Sequence, residues 1–271
     1  MYVICIPSYS RANICNEKTL KTLHANKINK EKIYIYVTEE EYDTYNSTLD
    51  KKYYNKLIIG EIGLVQQRQF IINQWLTNQQ IVFLDDDIEK IDLSLSDSEN
   101  LDDFINHAFT ECINHKSYIW GVYAVYNPYF RKARKVLNTN LNYIVGAFYG
   151  IINRHLKSIQ LTITTDGQKE DVERTLKYFV NDGIILRFNK IGFITKYYGK
   201  EGGLGNLKSR IEPMKKACEN LKQHYNDYGN IKIRKNGISE FVLKKYLKKE
   251  LENSFETLEK NDSIENDSKD L

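Results

Sequence analysis

Three consecutive carboxylates, Asp85, Asp86 and Asp87, directly follow an apolar run at residues 81–84. A continuous apolar run this short is typical of a strand covered on both faces. Acid at the end of such a strand lies at the carboxyl edge of a sheet, where open α/β sheets bind ligands. Asp85 and Asp87 are two residues apart, so on an extended chain their side chains share a face. The pattern fits either a divalent-metal site or a solvated acidic turn.

The elements that must position these carboxylates alternate between strand and helix over the first 87 residues. Apolar patterning predicts strands at 2–6, 32–37, 56–59 and 81–84, with helices at about 16–25, 38–49 and 64–76. This alternation predicts a parallel sheet with right-handed crossovers. Thr38 and Glu41 have the spacing of a capping box at the start of the second helix. Neither a P-loop nor a G-x-G-x-x-G motif is present, which argues against those nucleotide sites.

The second half mixes strands and helices, and we expect it to extend the sheet and to build an acceptor site. Helices are predicted at 100–115, with Asn100 as N-cap, and at 170–180 and 209–225. Strands are predicted at 118–126, 141–153 (broken at Gly146 and Gly150), 184–188 and 191–196. A Lys-rich amphipathic segment at 239–249 closes the fold.

Composition sets the class of protein. The chain has 271 residues and is 41% hydrophobic, enough for a packed core. Its four cysteines are scattered, which fits a reducing compartment and argues against a zinc ribbon. No run approaches a membrane span, and the strand-like start predicts no signal peptide, so we expect a cytoplasmic protein, in the host cytoplasm if the chain is viral.

Charge is unevenly distributed along the chain. Residues 250–271 hold eight acidic and two basic residues, although the whole chain has a net charge of +3. The tail is therefore predicted to be disordered, and the body before it is basic enough to suit a phosphate-rich partner.

Taken together, several segments resemble the GT-A fold of nucleotide-sugar-dependent glycosyltransferases. In chain order they are Ile6-Pro7-Ser8-Tyr9-Ser10-Arg11, the stretch from Gly63 to Arg68, Asp85-Asp86-Asp87, the stretch from Gly146 to Gly150, and the stretch from Lys169 to Thr175. The resemblance implies an α/β, Rossmann-like fold with a mostly parallel central sheet flanked by helices. It implies one GT-A domain at 1–205, with a nucleotide-sugar half at 1–90 and an acceptor half at 91–205. A helical extension at 206–249 and the acidic tail at 250–271 follow.

The details are similar to the glycosyltransferases associated with TET/JBP-type DNA oxygenases. The segments that carry this likeness are I-P-S-Y-S-R, the helix start at 39–42, F-L-D-D-D-I, E-D-V-E-R-T, and Lys196-Tyr197-Tyr198 before Glu201-Gly202-Gly203-Leu204. The resemblance implies transfer of a hexose from a nucleotide sugar, UDP-linked, to a hydroxymethylated pyrimidine in DNA. A protein or glycan glycosyltransferase, a non-catalytic nucleotide-sugar or DNA-binding module, and a nucleotidyltransferase are the alternatives.

The resemblance also assigns roles to residues of this sequence. The nucleotide-sugar-binding candidates are Pro7, Ser8, Tyr9, Arg11, Glu39, Gly63, Arg68, Asp85, Asp86, Gly146 and Ala147. Asp85 and Asp87 are candidate ligands of Mn²⁺ or Mg²⁺, which prefer carboxylate oxygens. The catalytic candidates are Asp171, as the general base that takes the acceptor's proton, and Glu170, as a positioning residue. Glu39, Glu170 and Asp171 can each also be explained as an acid at the start of a helix, where the helix dipole favours negative charge.

An aromatic and basic segment is the candidate contact to nucleic acid. It comprises Tyr129, Arg131, Lys132, Arg134 and Lys135. Cations of this kind meet phosphates, and rings stack on bases. A base within duplex DNA has to flip out before its hydroxymethyl group enters a pocket. A solvated basic loop is the alternative interpretation.

Overall fold

The structure is a computed structural model, and it describes residues 1–164, 166–195 and 207–245. The predicted motifs at 196–198 and 201–204, the end of the Lys-rich segment and the acidic tail lie outside the described residues. Within the described ranges, no helix is long and apolar enough to cross a membrane.

The strands are β1 Tyr2–Pro7, β2 Ile33–Val37, β3 Lys56–Ile59, β4 Gln80–Leu84, β5 Lys90–Asp92, β6 Ile119–Val122, β7 Leu137–Asn138, β8 Phe148–Ile152, β9 Leu186–Phe188, β10 Gly192–Ile194, β11 Gly229–Ile233 and β12 Ser239–Leu243. The α-helices are α1 Ala12–Cys15, α2 Lys21–Ala25, α3 Tyr42–Thr48, α4 Leu64–Gln74, α5 Leu101–His115, α6 Pro128–Lys132, α7 Glu170–Asp182 and α8 Leu207–His224. A π-helical segment, Asn16–Leu20, joins α1 to α2, and 3₁₀ turns occupy Lys30–Lys32, Glu39–Glu41 and Lys157–Ile159.

A central sheet of eight strands has the order β3-β2-β1-β4-β8-β6-β9-β7. The pairs β3–β2, β2–β1, β1–β4 and β6–β9 are parallel, which is four of the seven pairings, and β4–β8, β8–β6 and β9–β7 are antiparallel. Because β1 to β4 all run one way, their carboxyl ends form one edge of the sheet. The predicted β-α-β alternation and the mostly parallel sheet are confirmed.

Both faces of the sheet are covered. One face packs against α5, where Phe104 meets Trp120 and Phe148 in edge-to-face contacts at 5.5 and 6.3 Å between ring centroids. The other face packs against α7 and α8, where Phe179, Cys218 and neighbouring residues are buried. Burial on both faces explains why the central strands are continuous apolar runs.

The π-helical segment after β1 holds the turn that carries the three aspartates. The hydroxyl of Thr19 donates to the carbonyl oxygen of Asp85 at 2.8 Å and accepts from the amide of Ile88 at 2.8 Å. One turn later, the hydroxyl of Thr22 donates to the carbonyl oxygens of Ile88 and Glu89, each at 3.1 Å. π-bulges are often found at functional sites. Thr19 is fully buried, so it fixes the backbone on both sides of the aspartates.

Three sequence predictions differ from the structure. The Thr38–Glu41 capping box is wrong: the Glu41 carboxylate accepts from the amide of Ser10 at 2.8 Å, and Thr38 Oγ1 is buried with no hydrogen-bond partner among the described residues. A 3₁₀ turn at Glu39–Glu41 separates Thr38 from the helix, which changes the cap geometry. In place of the long strand at 141–153, only Phe148–Ile152 is a strand.

The third difference lies in the predicted helical extension. Helix α8 is present, but Ser239–Leu243 is a strand that pairs with Gly229–Ile233 as an antiparallel hairpin. Asn236-Gly237 lies in the connecting turn, and Gly237 has φ of 82°. Asn-Gly between alternating residues is a strong hairpin signal, and Phe241 is buried while Val242 is exposed. The lysines that follow the strand favour a helix in the sequence pattern, and the structure shows that this prediction is wrong for Ser239–Leu243.

We expect Thr19→Val to lower the free energy of unfolding by about 2 kcal/mol, because the substitution leaves the Asp85 carbonyl and the Ile88 amide buried without partners. Thr19→Ser keeps the hydroxyl and is expected to cost about 1 kcal/mol for the lost methyl group. Urea unfolding of both variants measures the difference. Equal losses in the two variants would show that packing, and not the hydroxyl bridge, matters at this position.

Candidate active site

A cleft of about 1200 Å³ opens at the carboxyl edge of β1 and β4. It brings together the predicted nucleotide-sugar, metal and catalytic candidates, with the exception of Glu39. Its lining includes Pro7, Ser8, Tyr9, Arg11, Gly63, Arg68, Asp85, Asp86, Asp87, Gly146, Ala147, Glu170 and Asp171. Glu39 is exposed on the 3₁₀ turn after β2 and is not among the lining residues.

The loop after β1 is fixed by a buried tyrosine. The hydroxyl of Ser8 lies 2.7 Å from that of Tyr45 and donates to Asp86 at 2.5 Å. The backbone amide of Arg11 donates to the Tyr45 hydroxyl at 3.0 Å. The loop backbone is therefore anchored to α3, and the Arg11 side chain extends from it to the aspartates.

Arg11 lies against two of the three carboxylates. Its Nη1 is 3.2 Å from Asp86 Oδ1 and 3.4 Å from Asp87 Oδ2. The other oxygen of Asp87 accepts a hydrogen bond from the Thr195 hydroxyl. Asp86 and Asp87 are buried, with exposures of 5% and 7%, and Asp86 is also held by the Ser8 hydroxyl.

Arg68 links three predicted motifs through one guanidinium. Its Nη1 pairs with the Glu170 carboxylate. Its Nη2 donates to the carbonyl oxygen of Gly146 at 2.9 Å and to Asp85 at 3.2 Å. The side chain is 3% exposed, and helix α4 aims it at the cleft floor. Arg68 was predicted to reach phosphate, and the structure also makes it the internal anchor of the cleft.

Gly146 is required by close packing. A Cβ added there would lie 2.8 Å from Glu170 Oε1 and 3.1 Å from Arg68 Nη1. Any larger residue would therefore push the Glu170 carboxylate or the Arg68 guanidinium out of its present position. The glycine predicted from the sequence as part of a binding loop is explained by the approach of two charged side chains.

Glu170 is engaged by two arginines. Besides Arg68, it accepts from Arg174 Nη1 at 2.5 Å, and it is 4% exposed. The Arg174 guanidinium stacks 3.7 Å from the Tyr149 ring centroid, and its Nε and Nη2 have no hydrogen-bond partner among the described residues. Glu170 thus pairs with both guanidiniums, and its assignment as a positioning residue stays a prediction.

Asp171 faces the cleft from the first turn of α7. One of its oxygens accepts a hydrogen bond from the Tyr143 hydroxyl, and the other accepts from the Val172 amide at 2.9 Å. Asp171 is half-buried, and Tyr143 is 37% exposed. Tyr143 was missed from the sequence, because nothing in its local pattern distinguishes it from the other tyrosines.

Glu173 has a structural role that the sequence did not reveal. It is fully buried and accepts from the backbone amides of Thr162, Ile163 and Thr164 at 2.8 to 3.2 Å. This carboxylate therefore fixes the segment before α7, which continues to the cleft-lining residue Gln168.

Burial and mutual repulsion raise the pKa values of two of the three aspartates. Burial raises the pKa of the Asp85 carboxyl to about 7, opposed by Arg68, and the negative charges of Asp87 and Asp86 add to the rise. Burial likewise raises the pKa of Asp86 to about 6, opposed by Arg11. Excess negative charge therefore remains at this edge when the carboxyls ionise, and an added cation would relieve it.

This edge fits a divalent ion. Asp85 and Asp87 offer hard oxygen ligands in one cleft, and ions such as Mg²⁺ bind through one or two carboxylates together with waters and substrate phosphates. In the described part of the chain, no group of three His, Cys, Asp or Glu residues could hold a metal alone. Ligands from outside the protein would have to complete the coordination.

The predicted nucleic-acid segment divides into two parts. Arg131 is fully buried, pairs with Asp92, and donates to the carbonyl oxygens of Lys190 at 2.5 Å and Tyr126 at 2.8 Å. Its prediction as a DNA contact is wrong, because this guanidinium joins α6 to the β5–β10 ribbon. Sequence alone could not separate it from its exposed neighbours.

The other members of that segment are exposed. Tyr129 is 77% exposed, and Lys132, Arg134 and Lys135 are exposed as well. The Arg134 guanidinium stacks 4.3 Å from the centroid of the Tyr123 ring. We call the four exposed residues Tyr129, Lys132, Arg134 and Lys135 the basic ridge.

Arg187 connects the basic ridge to the cleft. Its guanidinium lies 5.2 Å from the Tyr123 ring on one side and donates to the carbonyl oxygen of Tyr143 at 3.4 Å on the other. Tyr143 in turn holds Asp171. The ridge and Asp171 are therefore linked indirectly, from Arg134 through Tyr123, Arg187 and Tyr143.

Comparison with known proteins supports the fold. Glucosyl-3-phosphoglycerate synthase from Mycobacterium tuberculosis, in complex with Mn²⁺, UDP and glucosyl-3-phosphoglycerate, matches at 8% identity with a TM-score of 0.50, over 91% of this chain and 87% of that one. Residues 1–349 of S. aureus TarS match at 15% identity with a TM-score of 0.48, over 82% of this chain. GalNAc-T7 with UDP, GalNAc and Mn²⁺ matches at 13% identity with a TM-score of 0.49, over 79% of this chain and 47% of that one.

At these identities the likeness concerns the fold, and the predicted GT-A fold is confirmed. This chain covers 65% of the TarS fragment, less than two thirds of its length. No protein-family model matches the sequence, and no curated protein does.

We expect Glu170→Gln to lower the free energy of unfolding by about 3 kcal/mol, because it leaves two buried guanidiniums without their shared charge. Glu17→Gln is the matched control, since Glu17 forms an exposed pair with Lys21 at the same i,i+4 spacing as Glu170 with Arg174. The control should leave stability nearly unchanged. Chemical denaturation measures both, and a Glu170→Gln protein as stable as the control would contradict the anchoring role.

The raised pKa of Asp85 predicts a pH-dependent effect of Asp85→Asn. The Asp85 carboxyl binds its proton more tightly in the folded state than in the unfolded chain. Its contribution to the free energy of unfolding is therefore fully present below about pH 4 and is lost as pH rises towards 7. Relative to wild type, Asp85→Asn should therefore gain stability as pH is raised from about 4 to about 7. Urea unfolding at several pH values in this range tests the sign of the change in the stability difference. Asp97→Asn, at an exposed position, is the control. A difference from wild type that is constant with pH would contradict it.

Proposed function

We propose that this protein is a glycosyltransferase that takes a hexose from a nucleotide diphosphate sugar, UDP-linked, with the help of Mn²⁺ or Mg²⁺. The observation that carries the proposal is a single cleft in which Arg68 and the aspartate turn face Asp171. The GT-A fold supports it, as do the UDP and Mn²⁺ named for the structure of the mycobacterial synthase. Ligands of open α/β sheets bind at this carboxyl edge.

The donor side is suited to a diphosphate. Arg68 supplies a fixed positive charge and Arg11 a second, more exposed one, and guanidiniums bind phosphate oxygens through paired hydrogen bonds. Asp85 and Asp87 would hold the divalent ion, which neutralises charge on the leaving diphosphate. Because Glu170 and Gly146 hold Arg68 in place, its donors are oriented before substrate arrives.

The acceptor side supplies a base. As the acceptor oxygen bonds to the anomeric carbon, its proton passes to the Asp171 carboxylate, and the bond from that carbon to the diphosphate oxygen breaks with its electron pair leaving on UDP. Tyr143 donates to Asp171 and so fixes the direction in which the carboxylate points. This describes an inverting transfer.

We propose DNA with a hydroxymethylated pyrimidine as the acceptor, as in the TET/JBP-associated family. The basic ridge supports this, because its exposed cations suit phosphates and its exposed ring suits a flipped base. It is joined to Asp171 through Arg187 and Tyr143. The four buried free cysteines suit the reducing cytoplasm, where we place the enzyme.

The test is turnover of UDP-sugars with DNA containing 5-hydroxymethyluracil or 5-hydroxymethylcytosine, read by mass spectrometry of the digested nucleosides and by release of UDP. We expect a hexosylated nucleoside from wild type. Asp171→Asn should lower the rate by about 10³ because it removes the base. Asp103→Asn, an exposed acid in the first turn of α5, is the matched control and should retain activity.

Two outcomes would contradict the proposal at different levels. UDP release with sugar attached to protein, and none to DNA, would reject the acceptor and keep the glycosyltransferase. No UDP release from any nucleotide sugar, together with pyrophosphate release from a nucleoside triphosphate, would reject the reaction itself.

A further inference from the structure

Arg11 occupies carboxylates that the divalent ion would need. Its Nη1 contacts Asp86 Oδ1 at 3.2 Å and Asp87 Oδ2 at 3.4 Å. The second Asp87 oxygen is already engaged by the Thr195 hydroxyl. One of the two proposed metal ligands therefore has both oxygens in contact with donors of the protein.

A guanidinium and a divalent ion compete for such a carboxylate. Both seek the same oxygen lone pairs, and two positive charges a few ångströms apart repel each other in a partly buried site. The turn carries three carboxylates, and Arg68 also contributes positive charge to it. A divalent ion that arrives while Arg11 stays in place would leave an excess of positive charge.

Arg11 is built so that its side chain can leave while its backbone stays. The Arg11 amide is held by Tyr45, and Ser8 keeps its own hydrogen bond to Asp86. The Arg11 side chain is 15% exposed and lines the cleft, whereas that of Arg68 is 3% exposed and is held by Glu170. Of these two arginines, Arg11 is therefore the more accessible to an incoming ion.

We infer that Arg11 is the resident counter-ion of Asp87, that a divalent ion displaces it, and that the displaced guanidinium then contacts the donor diphosphate. The inference rests on the proposed function for the identity of the donor. It explains how the protein offsets part of the negative charge of the buried Asp86 and Asp87 before the metal binds. It also predicts that metal and nucleotide bind cooperatively. The ion releases Arg11 from Asp87, and the released guanidinium can then contact the diphosphate.

The first experiment measures Mn²⁺ binding alone, by the electron paramagnetic resonance signal of free Mn²⁺, without nucleotide or acceptor. Arg11→Gln should bind Mn²⁺ about tenfold more tightly than wild type, because the competing charge is gone. Lys18→Ala is the matched control, since Lys18 pairs with Glu89 at 2.8 Å beside the same turn and covers no proposed ligand. It should change the affinity less than about twofold.

The second measurement is UDP affinity by calorimetry at saturating Mn²⁺. Here Arg11→Gln should bind UDP about tenfold more weakly, because a phosphate contact is lost. The opposite signs in the two experiments separate displacement from a general loss of structure. Arg11→Ala provides a second variant if the glutamine protein does not fold.

The outcomes distinguish this inference from the proposed function. If wild type binds Mn²⁺ and Arg11→Gln binds it equally or more weakly, the displacement is wrong and the metal site stands. If neither protein binds Mn²⁺, with or without UDP, both the displacement and the proposed metal are wrong.

Discussion

The contacts of the Arg68 guanidinium hold the two halves of the cleft together. One side of this buried cation reaches Asp85 at the end of β4, and the other pairs with Glu170 at the start of α7. Its third partner is the carbonyl oxygen of Gly146. Three segments far apart in the chain therefore meet at one charged group. Because a buried charge is stable only when it is paired and hydrogen-bonded, the positions of these segments depend on one another.

The requirement that buried charges be paired also separates the roles of Glu170 and Asp171. Glu170 and Asp171 are neighbours on one helix, but Glu170 turns inwards to two arginines while Asp171 turns to the cleft and to Tyr143. Burial and pairing make the first a fixed anchor, and partial exposure leaves the second able to meet an acceptor. At the aspartate turn, burial raises the pKa of the Asp85 carboxyl, and the negative charges of Asp87 and Asp86 add to the rise.

Much of the donor half was predictable, because β1 to β4 are short apolar runs at regular spacing and the aspartates follow the last of them. The outcome for other residues depended on long-range contacts that local patterns do not encode. Arg131 and Arg134 have the same chemistry and lie three residues apart, yet Arg131 is fully buried against Asp92 while Arg134 is exposed. Thr19 acts on residues more than sixty positions away. The hairpin at the C-terminal end was readable from Asn236-Gly237, but the lysines after it favoured a helix.

The central claim is that one cleft binds the nucleotide sugar between the aspartate turn and Asp171. A crystal structure of the protein with UDP and Mn²⁺ tests it most directly. The account predicts the ion on Asp85 and Asp87, the diphosphate between that ion and Arg68, and the terminal phosphate directed towards Asp171. UDP bound outside this cleft, or bound in it with the diphosphate turned away from the aspartates, would contradict the account.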